Sequence, residues 1–151
     1  MRNILVTGAN GFVGSNLCIS LEKFSHINIL RVTRETDESD LERLLLEADL
    51  IFHLAGVNRS SQDERFLSAN VELTEKTTQR LQTGKKNTPI IFSSSSKSGE
   101  TGIYGETKFL AESRLEEYQK SSGAAVYILR LPNLFGKWSR PNYNSVVATF
   151  C

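Results

Sequence analysis

The sequence predicts an α/β fold, a doubly wound parallel sheet of about five strands with helices on its faces. Short apolar runs alternate with longer amphipathic ones along the 151 residues, which is the pattern of repeated β-α units. One run, "DLIFHLA" (49–55), is almost wholly apolar, as a central parallel strand buried on both faces should be. A glycine-rich turn follows the first run and opens the first helix.

In chain order, "NILVT" (3–7) is the first strand, and "GANGFVG" leads into a helix through about Lys23. "INILRVT" (27–33) is the second strand, and "DESDLERLLLEA" (37–48) is a helix whose first turn is acidic, matching its positive end. "DLIFHLA" is the third strand. A helix over roughly 62–83 follows, with Phe66, Leu67, Ala69, Asn70, Leu73, Thr77 and Leu81 near one stripe. "PIIFSSS" (89–95) is the fourth strand, and "YGETKFLAESRLEEYQKS" is a long helix closed by Gly123. "AVYILRLP" is the last strand, stopped by Pro132, and "PNYNSVVATFC" reads as a helix beginning. A helix interrupted within its apolar run is expected of a fragment of a longer protein.

Bulk properties narrow the function. Hydrophobic content of 39% with 23% charged residues is that of a folded soluble domain. A net charge of +1 gives no electrostatic case for nucleic acid or an anionic membrane. No apolar run approaches the roughly 20 residues that span a bilayer. The start, "MRNILVTGANG", is too glycine-rich and its apolar run too short for a signal peptide. Cys18 and Cys151 are the only cysteines and share no metal-ligand spacing, so free thiols in a cytoplasmic protein are expected, with no metal site and a disulfide between the two as the lesser alternative.

Gly8, Gly11 and Gly14 stand at G-x-x-G-x-x-G spacing between a strand and a helix. Such a turn bends tightly, lets a pyrophosphate approach the backbone and presents the positive helix end to it. This predicts a Rossmann-like dinucleotide cradle, the alternative being a plain glycine-rich connection. The end of the second strand then selects the cofactor. An acidic residue there would hold ribose hydroxyls, but the chain reads "LRVTRETD", with Arg31, Thr33 and Arg34 ahead of Glu35 and Asp37. Arginine forks suit a 2′-phosphate, so NADPH is expected, with NADH possible and simple solvation of the arginines the alternative.

Tyr104 and Lys108 are four residues apart on the predicted helix and share one face. An ammonium beside a phenol favours the phenolate, and the pair can protonate a carbonyl oxygen while hydride arrives at carbon. The same spacing also occurs on plain surface helices. Order along the chain favours catalysis: strand C-termini and helix N-termini share one sheet edge, so the cradle, "IIFSSS" and the Tyr/Lys pair converge there. A strand-end serine can bond the substrate carbonyl. Ser95 is expected in that role with Ser94 a rival, and Ser93 is expected against the cofactor.

Together "TGANGFVG", "FHLAG", "FSSS", "YGETK" and "RLPNLFG" resemble the extended short-chain dehydrogenase/reductases, a family of nucleotide-sugar epimerases, dehydratases and reductases. "HLAGVNR" and "PNLFGKWSRPNYNSVVATFC" are similar to a subgroup that reduces UDP-linked 4-keto-6-deoxy-N-acetylhexosamines for bacterial capsule precursors. The resemblance implies that Gly8, Asn10, Gly11, Phe12, Val13 and Gly14 hold the pyrophosphate, and that Arg31, Thr33 and Arg34 flank the 2′-phosphate. It implies that Leu54, Ala55 and Gly56 line the adenine and ribose side, and that Leu131, Pro132, Asn133 and Leu134 approach the nicotinamide. Tyr104 and Lys108 would be catalytic, with Lys108 also bonding the nicotinamide ribose. Asn58, Arg59, Ser94 and Asn133 would face a UDP-sugar. The subgroup further implies a homodimer or larger assembly and a downstream sugar-binding lobe and cupin-like domain. Two departures from most of the family are expected: the usual third strand and its partner helix are missing, and the stretch from Ser95 to Tyr104 is short. An NAD-dependent epimerase or dehydratase and a non-catalytic dinucleotide-binding module remain the alternatives.

Among the other residues, His53 is expected to be packed and hydrogen-bonded, and His26 to lie in a turn without a partner. Trp138 is expected to pack against the core or a loop, or to contact a substrate base. "RLEEYQK" is expected to be a solvated helix face.

Overall fold

The computed structural model describes residues 1–57, 66–137 and 139. Its strands are β1 (Arg2–Thr7), β2 (Ile27–Val32), β3 (Leu50–His53), β4 (Ile90–Ser95) and β5 (Val126–Leu131). They form one all-parallel sheet in the order β2-β1-β3-β4-β5. The nearly apolar third strand is central, as its sequence predicts. The sheet ends at β2, so the outer strand expected to be missing is absent among the described residues.

Strand alternation sorts the core into two layers. Leu5, Ile51, Ile90 and Phe92 pack with Leu41, Leu45, Leu81, Leu115 and Tyr118 from α2 (Glu38–Glu47), α3 (Leu73–Thr83) and α4 (Ile103–Ser122). Ile4 and Val6 face the other way, with Leu50 and Phe52 beside them, onto Cys18, Leu17 and Leu21 of α1 (Phe12–Leu21). Helices on both faces make the sheet doubly wound, and the chain changes face where β1 meets β3. That switch point is where open α/β sheets bind ligands.

Local chemistry explains the element ends. Asp37 caps α2 by accepting from the Asp40 amide at 2.8 Å, and Gly123 ends α4 in the left-handed region at φ 73°. The first helix stops at Leu21, short of Lys23, where the Glu22 amide closes the last turn on the Cys18 carbonyl. The described part of the predicted 62–83 helix is not uniform, because Ser68–Glu72 forms a π-helical turn ahead of α3. Its extra residue per turn breaks the 3.6 periodicity. Leu67, expected on the buried stripe, is exposed, while Phe66, Asn70 and Thr74 are buried.

"RLEEYQK" is solvated, as expected, at Arg114, Glu116, Glu117, Gln119 and Lys120, but two of its residues turn inward. Leu115 and Tyr118 are both fully buried, and the Tyr118 hydroxyl donates to the carbonyls of Thr88 and Lys86 at 3.0 and 3.2 Å. On the exposed side Arg114 pairs with Glu117 on its own helix and with Glu75 across to α3. His26 has a partner, the Phe24 ring, edge-on at 6.0 Å. Asn58, Arg59, Trp138 and Cys151 lie outside the described residues.

Candidate active site

The glycine turn connects β1 to α1 at the C-terminal rim of the sheet. Gly8 adopts φ +68°, and a side chain there would come within 3.0 Å of the Ala55 backbone. At Gly14 a Cβ would lie 2.2 Å from the Gly8 carbonyl oxygen, so the helix can begin this close to the turn only without a side chain. Gly11 is the N-cap of α1 and supplies no side-chain cap, which leaves the first-turn N–H groups facing the rim. Asn10 and Gly11 are exposed, Phe12 and Val13 half-buried. The cradle therefore sits between the end of β1 and residues 54–56, with the end of β2 alongside through the Ala9 amide and Val32 carbonyl at 3.2 Å.

A buried polar relay fixes the segment after β3. Thr74 donates its hydroxyl hydrogen to the Asn70 carbonyl at 2.9 Å, so it can only accept from His53 Nε2, 2.9 Å away. His53 Nδ1 is then an acceptor and takes the Thr7 hydroxyl hydrogen at 3.0 Å. The Thr7 oxygen in turn accepts the amides of Leu54 and Ala55, each at 3.0 Å. Burial, and secondarily the nearby Lys108 charge, lowers the His53 pKa to about 3, so the ring is neutral and structural, as the sequence suggested. Asn70 completes the clamp: its side chain exchanges hydrogen bonds with the Val57 backbone at 2.9 and 3.0 Å and donates to Thr107.

The Tyr/Lys pair opens α4 on the same rim. Lys108 is only 5% exposed. Its Nζ donates to the Ser93 carbonyl at 2.9 Å, lies 4.9 Å from the Phe92 ring centroid, and would be 3.2 Å from a Cβ on Gly56. That last distance brings the ammonium against the segment that adjoins the glycine cradle. Burial lowers its pKa to about 8, with the Glu112 carboxylate opposing, so most of it is charged at neutral pH. Tyr104 is half-buried, edge-on to Phe66 at 6.3 Å.

The three strand-end serines separate by parity. Ser94 shares the face of Phe92 and donates to Glu112 beneath α4 rather than opening onto the rim, where it was expected on the substrate side. Ser93 donates weakly to the His53 carbonyl at 3.4 Å, and its own carbonyl accepts from Lys108. Ser95 is buried at the strand tip, its hydroxyl accepting the Lys97 amide at 3.2 Å.

At the end of β2, Arg31 pairs with Glu22 at 2.5 Å, both side chains well exposed. Thr33 is half-buried and Arg34 exposed. Thr33 bonds the Glu35 amide at 3.2 Å and approaches the Glu35 carboxylate at 3.4 Å, while Asp37 is occupied as a helix cap. At the end of β5 Leu131 is half-buried, and in the loop beyond it Leu134 is half-buried and Pro132 and Asn133 are exposed. This loop crosses toward α1, where Asn16 donates to the Lys137 carbonyl at 2.9 Å. Sequence reading did not single out Thr7, Thr74, Glu112 or Arg130. Glu112 had a signal, since it continues the Tyr104/Lys108 spacing by one more turn.

A parallel sheet with a glycine cradle at its switch point and a Tyr/Lys helix on the same rim defines an extended short-chain dehydrogenase/reductase domain. The chain belongs to the NAD dependent epimerase/dehydratase family, whose description matches residues 4–151. It is 47% identical over 148 residues to a UDP-2-acetamido-2,6-beta-L-arabino-hexul-4-ose reductase of Pseudomonas aeruginosa, covering 98% of this chain and 40% of that protein. The crystal structure of the capsular polysaccharide assembling protein CapF from Staphylococcus aureus superposes with a TM-score of 0.85 at 45% identity, over 99% of this chain and 39% of that one. UDP-glucuronic acid 4-epimerase from Bacillus cereus, solved with NAD, shares the fold with a TM-score of 0.80 at 24% identity, over 93% of this chain and 60% of that one. The chain thus spans about two fifths of the length of the reductase and of CapF. Among the described residues no helix is long and apolar enough to cross a membrane, and no cluster of side chains could hold a metal ion.

Proposed function

We propose that this chain is the cofactor-binding and catalytic portion of an NADPH-dependent reductase of a UDP-linked 4-keto-6-deoxy-N-acetylhexosamine, acting in the cytoplasm on precursors of capsule or other surface polysaccharide. The observation that carries the reading is the juxtaposition at one rim: the glycine cradle, Ser95 and the buried Lys108 ammonium one turn from Tyr104. A dinucleotide held by the Gly8–Gly14 cradle would supply the hydride that the carbonyl carbon receives. Tyr104 donates its phenolic proton to the carbonyl oxygen, and Lys108 steadies the negative charge left on the phenol. Ser95 holds the ketone oxygen toward Tyr104. The cradle and the α1 N-terminus bind the pyrophosphate.

Thr33 and the exposed Arg34 support a 2′-phosphate, and hence NADPH. Two observations favour a second reading with NADH: Arg31 is already paired with Glu22, and the Glu35 carboxylate adjoins Thr33. An NAD-dependent epimerase or dehydratase is the corresponding activity. Sugar recognition, with Asn133, Asn58 and Arg59 as candidates, would be shared with regions beyond this chain, and the complete enzyme would be a homodimer or larger.

Tyr104→Phe in the complete polypeptide tests the chemistry. It should abolish reduction of UDP-4-keto sugars followed at 340 nm while NADPH still binds, as read by nicotinamide fluorescence. Full activity in that variant would remove Tyr104 as the proton donor.

A further inference from the structure

Glu112 is a carboxylate 3% exposed inside the layer between α4 and the sheet. One oxygen accepts from the Ser94 hydroxyl and from Arg130 Nε at 3.1 Å, and the other accepts from Arg130 Nη2 at 2.7 Å. Burial pushes the carboxyl up, but the bonds from Arg130 and Ser94 outweigh it and hold the group below its usual range, so it is ionised. Glu112 is buried while the Arg130 side chain stays 55% exposed, so the carboxylate is desolvated against a partner still in water, and a well-packed apolar residue at this position would serve stability as well or better. Its neighbours Ala111 and Leu115 belong to the apolar core, so the position could have been filled that way. What an apolar residue could not do is hold Ser94 and Arg130, or supply a negative charge one turn from Lys108.

We propose that Glu112 is a positioning residue for the reaction: its carboxylate ties β4 and β5 to the helix that carries Tyr104 and Lys108, and so sets Ser95 against the Lys108 ammonium. Two ties between β4 and α4 lead up to the strand tip. Lys108 holds the Ser93 carbonyl and Glu112 holds the Ser94 hydroxyl, and Ser95 is the next residue. Arg130 lies directly opposite Ser94 in the β4–β5 register, so the same carboxylate also joins the strand that leads into the Pro132–Leu134 loop. The inference rests on reading this rim as a reductase site.

Glu112 also acts on Lys108 through charge. The groups facing that ammonium are Glu112 one turn further along α4, neutral His53 from β3, the Phe92 ring and Ser93 carbonyl from β4, and Gly56 and Asn70 from the adjoining segments. Glu112 is the group that raises the lysine against burial, and Arg130 is the cation its loss would leave uncompensated. Lys108 loses its proton through about 8, so activity dependent on the ammonium falls as pH rises through that value. Removing the Glu112 charge moves this alkaline limb to lower pH.

The experiment compares Glu112→Gln, Ser94→Ala and the exposed control Glu117→Gln in the complete polypeptide, with NADPH and a UDP-4-keto sugar. Glu112→Gln should lower kcat roughly 10- to 100-fold, as small misplacements of reacting groups do, with NADPH affinity within about 2-fold of wild type. It should also shift the alkaline limb downward. Ser94→Ala, which cuts one tie without changing charge, should lower kcat and leave the limb in place, and Glu117→Gln should match wild type. The second readout needs no turnover: side-chain NMR of labelled lysine should show Lys108 titrating at lower pH in Glu112→Gln. Retained kcat in both Glu112→Gln and Ser94→Ala, or superimposable Lys108 titrations, overturns the proposal. A wild-type protein that reduces no UDP-4-keto sugar refutes the proposed function instead, and the lysine titration alone then decides the role of Glu112. If Glu112→Gln fails to fold, kcat in Ser94→Ala decides it.

Discussion

Acid should unfold this domain through His53, and the size of the effect follows from the structure. The ring is 1% exposed, neutral, and bonded at both nitrogens by groups whose own hydrogens are committed. Protonating it would set an N–H against the Thr7 hydroxyl hydrogen and a charge near the Lys108 ammonium. Its folded-state pKa, about 3, lies below the ordinary 6.5 it regains on unfolding. The unfolded chain therefore binds the extra proton first, so stability is complete above the unfolded value and is lost as pH falls from there toward about 3. At pH 5, one and a half units below the unfolded value at about 1.4 kcal/mol per unit, the loss is about 2 kcal/mol relative to neutral pH. That figure is insensitive to the folded value as long as it lies well under 5. Urea denaturation followed by circular dichroism at pH 7 and pH 5 measures it. His53→Gln keeps an acceptor for Thr7 but cannot titrate, so its stability, lower at pH 7, should fall by about 2 kcal/mol less than wild type across this interval. Equal falls in the two proteins would show that His53 is not the acid-sensitive group and would undo the tautomer argument.

Gly14→Ala forces a Cβ to 2.2 Å from the Gly8 carbonyl, so the cradle must open; a loss of roughly 1–3 kcal/mol in stability and of dinucleotide affinity is expected by thermal melting and fluorescence titration. Tyr118→Phe removes the hydroxyl donated to the Thr88 and Lys86 carbonyls and should cost about 1 kcal/mol in urea denaturation, with cofactor affinity unchanged. Arg34→Ala should weaken NADPH binding and leave NADH binding in place; equal affinities of the parent protein for the two cofactors would overturn the NADPH assignment.

Much of this molecule was legible because its signals are local. The Gly8/Gly11/Gly14 spacing needs only one strand-turn-helix, and the apolar "DLIFHLA" announces a central strand by its composition. The missing outer strand could be counted along the chain. The failures share a cause, which is that burial of a polar or aromatic residue depends on what packs against it. "RLEEYQK" looks solvated by composition, yet Tyr118 is buried because the carbonyls of Lys86 and Thr88 meet its hydroxyl. Leu67 left the expected stripe because one π-helical turn shifts the phase of the helix.

By itself the sequence determined the order of elements, the glycine-lined turn and the presence of a serine run, a tyrosine and a lysine at one edge of a parallel sheet. These follow from residue type, spacing and the handedness of β-α units, all of which act over short stretches. Only the tertiary structure decided which serine remains at the rim. Strand parity turns Ser94 under α4, where Glu112 and Arg130 hold it, and leaves Ser95 at the tip. It also decided the charge of Lys108 and the neutrality of His53, because both depend on how much water and which charges the folded chain leaves around them.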